Sequence, residues 1–317
     1  MRIISLLPSA TEMVCAVGAQ DELVGVSHEC DFPSGIPGLP ILTRTRTTLP
    51  KASGAIDVAV REMLKDAIAV YEVLVDRLRD AKADVIVTQD LCDVCAVSLD
   101  DVHKALKELG TGDVNIVSLK PTLLQDVWDD LRRVGVALGR EAEGEAAALD
   151  CEARVRAIGQ RSTTALAGAK RPTVLTIEWI DPVMIGGTWM PELAQLAGGE
   201  ALLAEPGVHS PTVGLDELSA IDPDVVLIKP CGFKLERTHE ELDLLQQRLP
   251  WDTWSAVSKG NIYLADGNAF FNRPGSRLVE SLEILAACVL PDEFAEYRTK
   301  HKDSLQRIAP DLSIVGL

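Results

Sequence analysis

Cysteine and histidine are the residues of this sequence whose spacing points most directly to chemistry. Cys92-x-x-Cys95 follows the apolar run Val85-Ile86-Val87, and His28 and Cys30 follow a second run, Leu23 to Val26. Cys231 follows a third, Val225 to Ile228. Thiolate and imidazole are preferred ligands for zinc, copper(I) and iron–sulfur centres. His28, Cys30, Cys92, Cys95 and Cys231 therefore form a candidate metal set, for zinc or iron. Glu29 and Leu91 stand on the same loops and are candidate ligand contacts. Cysteine is equally a small buried hydrophobe, and the second CxxC pair that would complete a zinc ribbon is absent. Cys15, Cys151 and Cys288 fall on helix faces and are expected in the core. Seven cysteines, an odd number, do not read as a disulfide framework.

Aromatic residues make up only 4% of the chain, so their clustering carries weight. Trp179 and Trp189 flank a loop, 178–190, rich in Pro, Met and Gly. Phe270 and Phe271 open the segment Phe270-Phe271-Asn272-Arg273-Pro274-Gly275. A few aromatics with placed polar groups are what a large, mainly apolar ligand needs, so Trp179, Trp189, Phe270 and Phe271 join Glu29, Cys30, Leu91, Cys92 and Cys95 as candidate ligand-binding residues. Trp251 and Trp254 are expected to pack a helix end. The sequence has no glycine-rich phosphate loop, nucleophile elbow or helical zinc-protease pair. No base–nucleophile pair stands at readable spacing, so the chain reads as a non-catalytic binder. His103, His239 and His301 lie in charged helical stretches and are expected on the solvated surface.

The elements that carry these residues follow one plan, used twice. In the first half, strands at Arg2–Leu7, Leu23–Val26, Ala83–Thr88 and Asn115–Leu119 alternate with helices. One of these helices is expected from about Asp57 to Ala81. Residues 33–55 read as an irregular excursion. In the second half, strands at Thr173–Ile177, Asp222–Ile228 and Asn261–Leu264 repeat the order, and a long helix begins near Arg277. Asp84-Val85-Ile86-Val87 is echoed by Asp224-Val225-Val226-Leu227, and Asn115-Ile116 by Asn261-Ile262. Between the halves, residues 140–168 are dominated by alanine and charge and suit one long helix. The reading is an α/β protein of two Rossmann-like lobes with parallel sheets, 1–139 and 169–317, joined by that helix. Ligands of parallel α/β sheets sit beyond the carboxyl ends of the strands. Loops 27–33, 88–96, 178–190 and 229–233 qualify, two from each lobe, so the site is expected in a cleft between lobes.

The bulk properties bound the partners. With 47% hydrophobic and 25% charged residues the 317-residue chain has enough apolar material for two cores. A formal net charge of −17 argues against nucleic acid, whose phosphates need a basic face. No stretch approaches the roughly 20 apolar residues of a membrane helix, so the chain is not membrane-embedded. The opening Met1-Arg2-Ile3-Ile4-Ser5 lacks a signal core and cleavage site, and a cytoplasmic location is expected, or a periplasmic one if a leader has been removed.

The opening Arg2-Ile3-Ile4-Ser5-Leu6-Leu7-Pro8-Ser9-Ala10-Thr11-Glu12 resembles the first strand and helix of the periplasmic-type cobalamin-binding proteins of ABC importers, within the haem, siderophore and vitamin B12 group. Leu23-Val24-Gly25-Val26-Ser27 followed by Asp31-Phe32-Pro33, the Pro-Asp-Val strand at 223–228 and the Gly198-Gly199 turn are similar to that family in the same order. The resemblance implies a class III substrate-binding protein fold and a corrinoid such as cobalamin bound between the lobes without catalysis. It also implies an acidic residue on each lobe that docks on an ABC permease, placed at Asp100 and Asp216. Binding of haem or an iron–siderophore, and a cysteine/histidine metal-binding or metallochaperone role on the same scaffold, are the alternatives. The sequence departs from the family in its missing signal and in the His28-Glu29-Cys30 and Cys92-x-x-Cys95 loops, and looks closest to a signal-less branch.

Overall fold

In the computed structural model, residues 1–65, 70–89, 98–109 and 114–315 are described. The first half holds strands β1 (Ile3–Ser5), β2 (Leu23–Val26), β3 (Thr43–Thr45), β4 (Tyr71–Val73), β5 (Val85–Gln89) and β6 (Asn115–Leu119). Four of them make a sheet in the order β2-β1-β5-β6, parallel at every step. Strands β1 and β5 are buried on both faces, which is why they read as unbroken apolar runs rather than alternating ones.

The second half holds β7 (Thr173–Trp179), β8 (Met184–Ile185), β9 (Glu200–Ala201), β10 (Val225–Ile228), β11 (Ile262–Ala265), β12 (Leu305–Ile308) and β13 (Ile314–Val315). Their order is β13-β12-β11-β10-β7-β8, with β9 also beside β7. The centre is parallel, but β12, β13 and β8 join antiparallel. The expectation of a wholly parallel second sheet is thus corrected at its edges. The chain after the helix Leu278–Val289 folds back beside β11, and Met184-Ile185 doubles back on β7.

The echoes between the halves lie at the amino ends of the strands. Asp84 Oδ2 accepts the Arg2 N–H at 2.7 Å, and Asp224 Oδ2 accepts the Thr173 N–H at 3.0 Å. In each lobe an aspartate entering one strand ties down the start of its parallel neighbour. The repeated Asp-Val signature marks the floor of each sheet, opposite the cleft.

A helix, Glu141–Leu166, runs between the two sheets in the chain. Its buried residues, Gly144, Ala148, Cys151, Val155, Ile158 and Ser162, recur every three or four positions and form one stripe. That stripe packs into a core which continues from the first lobe to the second. Where it crosses the helix Leu124–Ala137, a Cβ on Gly135 would lie 2.8 Å from the Gly144 Cα, so the approach of the two backbones requires glycine.

The expected helix from Asp57 to Ala81 is corrected as well. The helix Ser53–Lys65 is separate from Val75–Ala81, and β4 lies between them. Tyr71 and Val73 favour a pleated, half-buried surface, and β4 pairs antiparallel with β3, Thr45 opposite Tyr71. That pairing partner comes from the segment read as irregular.

A candidate ligand-binding cleft between the lobes

Loops beyond the carboxyl ends of the two sheets meet, as Asp31 after β2 bonds Arg273 and Asn268 after β11. On the first lobe, the loop after β2 is organised by Thr43 at the start of β3. Thr43 is buried. Its hydroxyl donates to Ser27 Oγ at 3.1 Å and accepts from the His28 backbone N–H at 3.1 Å. His28 Nδ1 lies 2.7 Å from the same oxygen. The Tyr71 ring stands 5.3 Å from the imidazole, and the Tyr71 hydroxyl donates to Glu29 Oε1 at 3.0 Å. Burial holds the His28 pKa below its ordinary value, against the opposing pull of the Glu29 charge.

On the second lobe, Lys229 follows four buried strand residues and is itself fully buried. Its Nζ donates to Glu178 Oε2 at 2.6 Å and to Asn272 Oδ1 at 2.8 Å. Glu178 Oε1 accepts from Ser210 at 2.9 Å. The Asn272 amide donates to the carbonyls of Gly267 and Lys229. The fully buried Lys229 ammonium is tolerable because it is paired and hydrogen-bonded. Gly267 is required here, since a Cβ would sit 2.1 Å from the Pro230 carbonyl.

The lobes meet on two sides. Asp31 Oδ1 accepts from Arg273 at 2.6 Å, and its other oxygen accepts from Asn268 at 3.0 Å. Glu12, buried in the helix Pro8–Ala16, accepts from Arg273 at 3.3 Å and Arg277 at 3.2 Å. Burial raises the Glu12 pKa, with both arginines opposing. The Arg277 guanidinium lies between the Phe32 and Phe270 rings, 4.2 and 4.7 Å from their centroids. On the other side the Ser53 N–H donates to Glu241 at 2.8 Å. Arg237 bonds both Glu241 and the Lys51 carbonyl. A groove of about 580 Å³ runs along that second seam, bounded by Gly54, Ala55, Val58, Asp181 and Pro182.

The sequence candidates are distributed unequally over these walls. His28 and Glu29 stand on the first wall. Trp179 is half-buried at the end of β7, donates to the Asp181 carbonyl at 3.1 Å and meets Phe233 edge-on. Cys231 is half-buried, with its N–H on the Glu178 carbonyl. Cys30 turns inward: its Sγ lies 3.0 Å from Thr11 Oγ1 within the core, and burial pushes the thiol up to about 11. Trp189 and Phe271 are also core residues. The Trp189 indole donates to the Phe271 carbonyl at 2.8 Å, and Phe271 is 1% exposed. Phe270 is buried against Arg277 and His301. Leu91, Cys92 and Cys95 lie outside the described residues. Among the described residues no three His, Cys, Asp or Glu side chains converge as a metal cage. His301 is not solvated as expected; it is 6% exposed, with Nε2 2.8 Å from Glu283. Asp100 and Asp216 are both exposed, each in the first turn of a helix.

Sequence reasoning missed Thr43, Tyr71, Lys229 and the Arg273–Arg277 pair. Lys229 had a signal: a lysine directly following Val225-Val226-Leu227-Ile228 cannot easily leave the lobe and needs an acidic partner. Tyr71 had none, because its run was absorbed into a helix.

Two opposed α/β sheets, a long intervening helix and a cleft at the strand ends define a two-lobed solute-binding protein. The chain belongs to the periplasmic binding protein family, whose model matches residues 3–269, a family of non-catalytic proteins that bring small-molecule ligands to ABC permeases. An uncharacterized ABC transporter substrate-binding lipoprotein of Bacillus subtilis, YvrC, is 21% identical over 301 residues, 93% of this chain and 82% of its own length. The vitamin B12-binding protein of Pectobacterium atrosepticum is 22% identical over 240 residues, 75% of this chain and 74% of its own. The crystal structure of a periplasmic heme-binding protein from Pseudomonas aeruginosa superposes with a TM-score of 0.68 at 20% identity, covering 92% of each chain. The expected cytoplasmic location is corrected by these findings: the family is periplasmic and the Bacillus relative is a lipoprotein. No described helix is long and apolar enough to cross a membrane.

Proposed function

We propose that this protein binds a corrinoid of the cobalamin type between its lobes, 1–139 and 169–317, which move about the 140–168 helix. The observation that carries the reading is the state of the cations in the cleft walls. Lys229, Arg237, Arg273 and Arg277 each already serve a carboxylate: Glu178, Glu241, Asp31 with Glu12, and Glu12. Haem carries two propionates and iron–siderophores are commonly anionic; both call for unpaired cations. A corrinoid presents neutral amides, which suit hydrogen-bonding groups such as Glu29, Tyr71 and Asn272, with Trp179 against the ring. The similarity to a vitamin B12-binding protein over three quarters of the chain supports the same choice. Asp100 and Asp216 are the residues proposed to dock the loaded protein on its permease.

Titration calorimetry with cyanocobalamin, cobinamide and haemin tests the reading. Saturable binding of the two corrinoids, with haemin weaker by at least tenfold, is expected. Tight haemin binding without corrinoid binding overturns it.

A further inference from the structure

We propose that the first turn of the helix Ser53–Lys65, on the first lobe, is capped by the second lobe, and that Trp179 makes this cap respond to the ligand; the response rests on the corrinoid reading above. The first turn of a helix leaves its leading N–H groups without intrahelical partners. Ser53 is fully buried, and its N–H donates to Glu241 Oε1 at 2.8 Å, from 188 positions away. The N–H of Ile56 is already served within the turn, by the Ala52 carbonyl at 2.9 Å. Arg237 holds Glu241 and reaches across to the Lys51 carbonyl. A second carboxylate closes on the same turn: a Cβ on Gly54 would lie 2.5 Å from Asp181 Oδ2. Negative charge at a helix N-terminus is favourable. Ile56 packs against the apolar cores of both lobes, so the turn is built into the seam.

Both carboxylates lead back to Trp179. Its indole donates to the Asp181 carbonyl at 3.1 Å. Its ring meets Phe233 edge-on, with centroids 5.2 Å apart, and the Arg237 guanidinium lies over Phe233, 4.6 Å from the centroid. Displacement of Trp179 therefore moves the groups that complete the turn. The closed cap carries a cost. Glu241 Oε2 is buried without a hydrogen-bond partner, and such a group loses its hydration for nothing. When the seam opens, that oxygen regains water but Ser53 loses its acceptor. Opposed contributions of this kind make an element that a ligand can bias by seating Trp179, and the coupling is reciprocal.

Amide hydrogen exchange of residues 53–55 in the full chain is the test. Saturating cyanocobalamin should slow it about fivefold, the low end of ordinary coupling between two sites. Glu241→Ala should speed exchange in the ligand-free protein about fivefold, through loss of one capping group, and weaken cyanocobalamin binding by a similar factor. Gly54→Ala keeps every buried charge and raises intrinsic helix propensity, yet should speed the same exchange by wedging Asp181 away from the turn. Both variants should keep the circular dichroism spectrum unchanged. Trp179→Leu, saturated with cyanocobalamin, should show no added protection. Ligand-free exchange unchanged in both Glu241→Ala and Gly54→Ala overturns the cap. Calorimetric binding of cyanocobalamin without slower exchange, or slowing that survives in Trp179→Leu, overturns the response and leaves the corrinoid reading intact. No binding of any corrinoid overturns that reading and the response together, while the ligand-free variants still decide the cap.

Discussion

On the first lobe the groups at the strand ends are joined through neutral hydroxyls: Ser27, Thr43, His28, and Tyr71 with Glu29. On the second, the end of β10 holds an ion pair, buried Lys229 with partly exposed Glu178, joined by Asn272 and Ser210. The second wall is held by charge, with the Lys229 ammonium fully buried against Glu178. The first is joined through hydroxyls that can donate or accept. Lobes built on one repeat therefore differ in what holds the strand ends: an ion pair on one, hydroxyls on the other.

The largest test of this contrast is Lys229→Met. It leaves the Glu178 carboxylate without its buried cation and should cost about 3 kcal/mol in urea unfolding; a loss below about 1 kcal/mol would mean that the wall is not held by charge. Thr43→Val should cost about 1 kcal/mol, the net worth of an ordinary hydrogen-bonding group. If the two losses are equal, the contrast between the walls fails.

The lobes also differ in how they respond to pH. In the second lobe, burial acts to raise Glu283, but hydrogen bonds from His301 and Lys300 and the nearby charges outweigh it and hold the group down at about 2. Its folded pKa is depressed, so its contribution is present above pH 4.5 and is lost as pH falls towards 2. In the first lobe, burial raises Asp130 to about 6 against the pull of Arg133. Its folded pKa is raised, so its contribution is present below pH 3.8 and is lost as pH rises towards 6. Glu283→Gln should flatten the acid limb of a stability–pH curve, and Asp130→Asn the limb between pH 4 and 6. The smallest expected effect is that of Asp100→Lys and Asp216→Lys. These exposed changes should shift stability by less than about 0.5 kcal/mol and leave ligand affinity unchanged, while lowering ligand-stimulated ATP hydrolysis by the permease in vesicles.

Much of the fold could be read from residue order. Unbroken apolar runs such as Val85-Ile86-Val87 mark strands buried on both faces, and Asp84 and Asp224 mark where those strands begin. The strand β4 was hidden because its partner lies 28 positions away in a segment of turn residues, and local pattern carries no record of such pairing. The site was less legible. Cys30, Trp189 and Phe271 have the right chemistry on the right loops, but side-chain direction at a loop depends on what fills the space behind it, and here the core takes all three.

Chain order, apolar periodicity and composition thus determined the two α/β lobes, the helix between them and the location of the cleft at the strand ends, because these depend on burying continuous apolar faces. Only the tertiary structure decided which groups face the cleft. The anchoring of His28 on Thr43, the closure of the Lys229 network and the spanning of the seam by Arg273 and Arg277 all arise from partners far apart in sequence. Hydrogen-bond geometry over such distances is fixed only when the chain has packed.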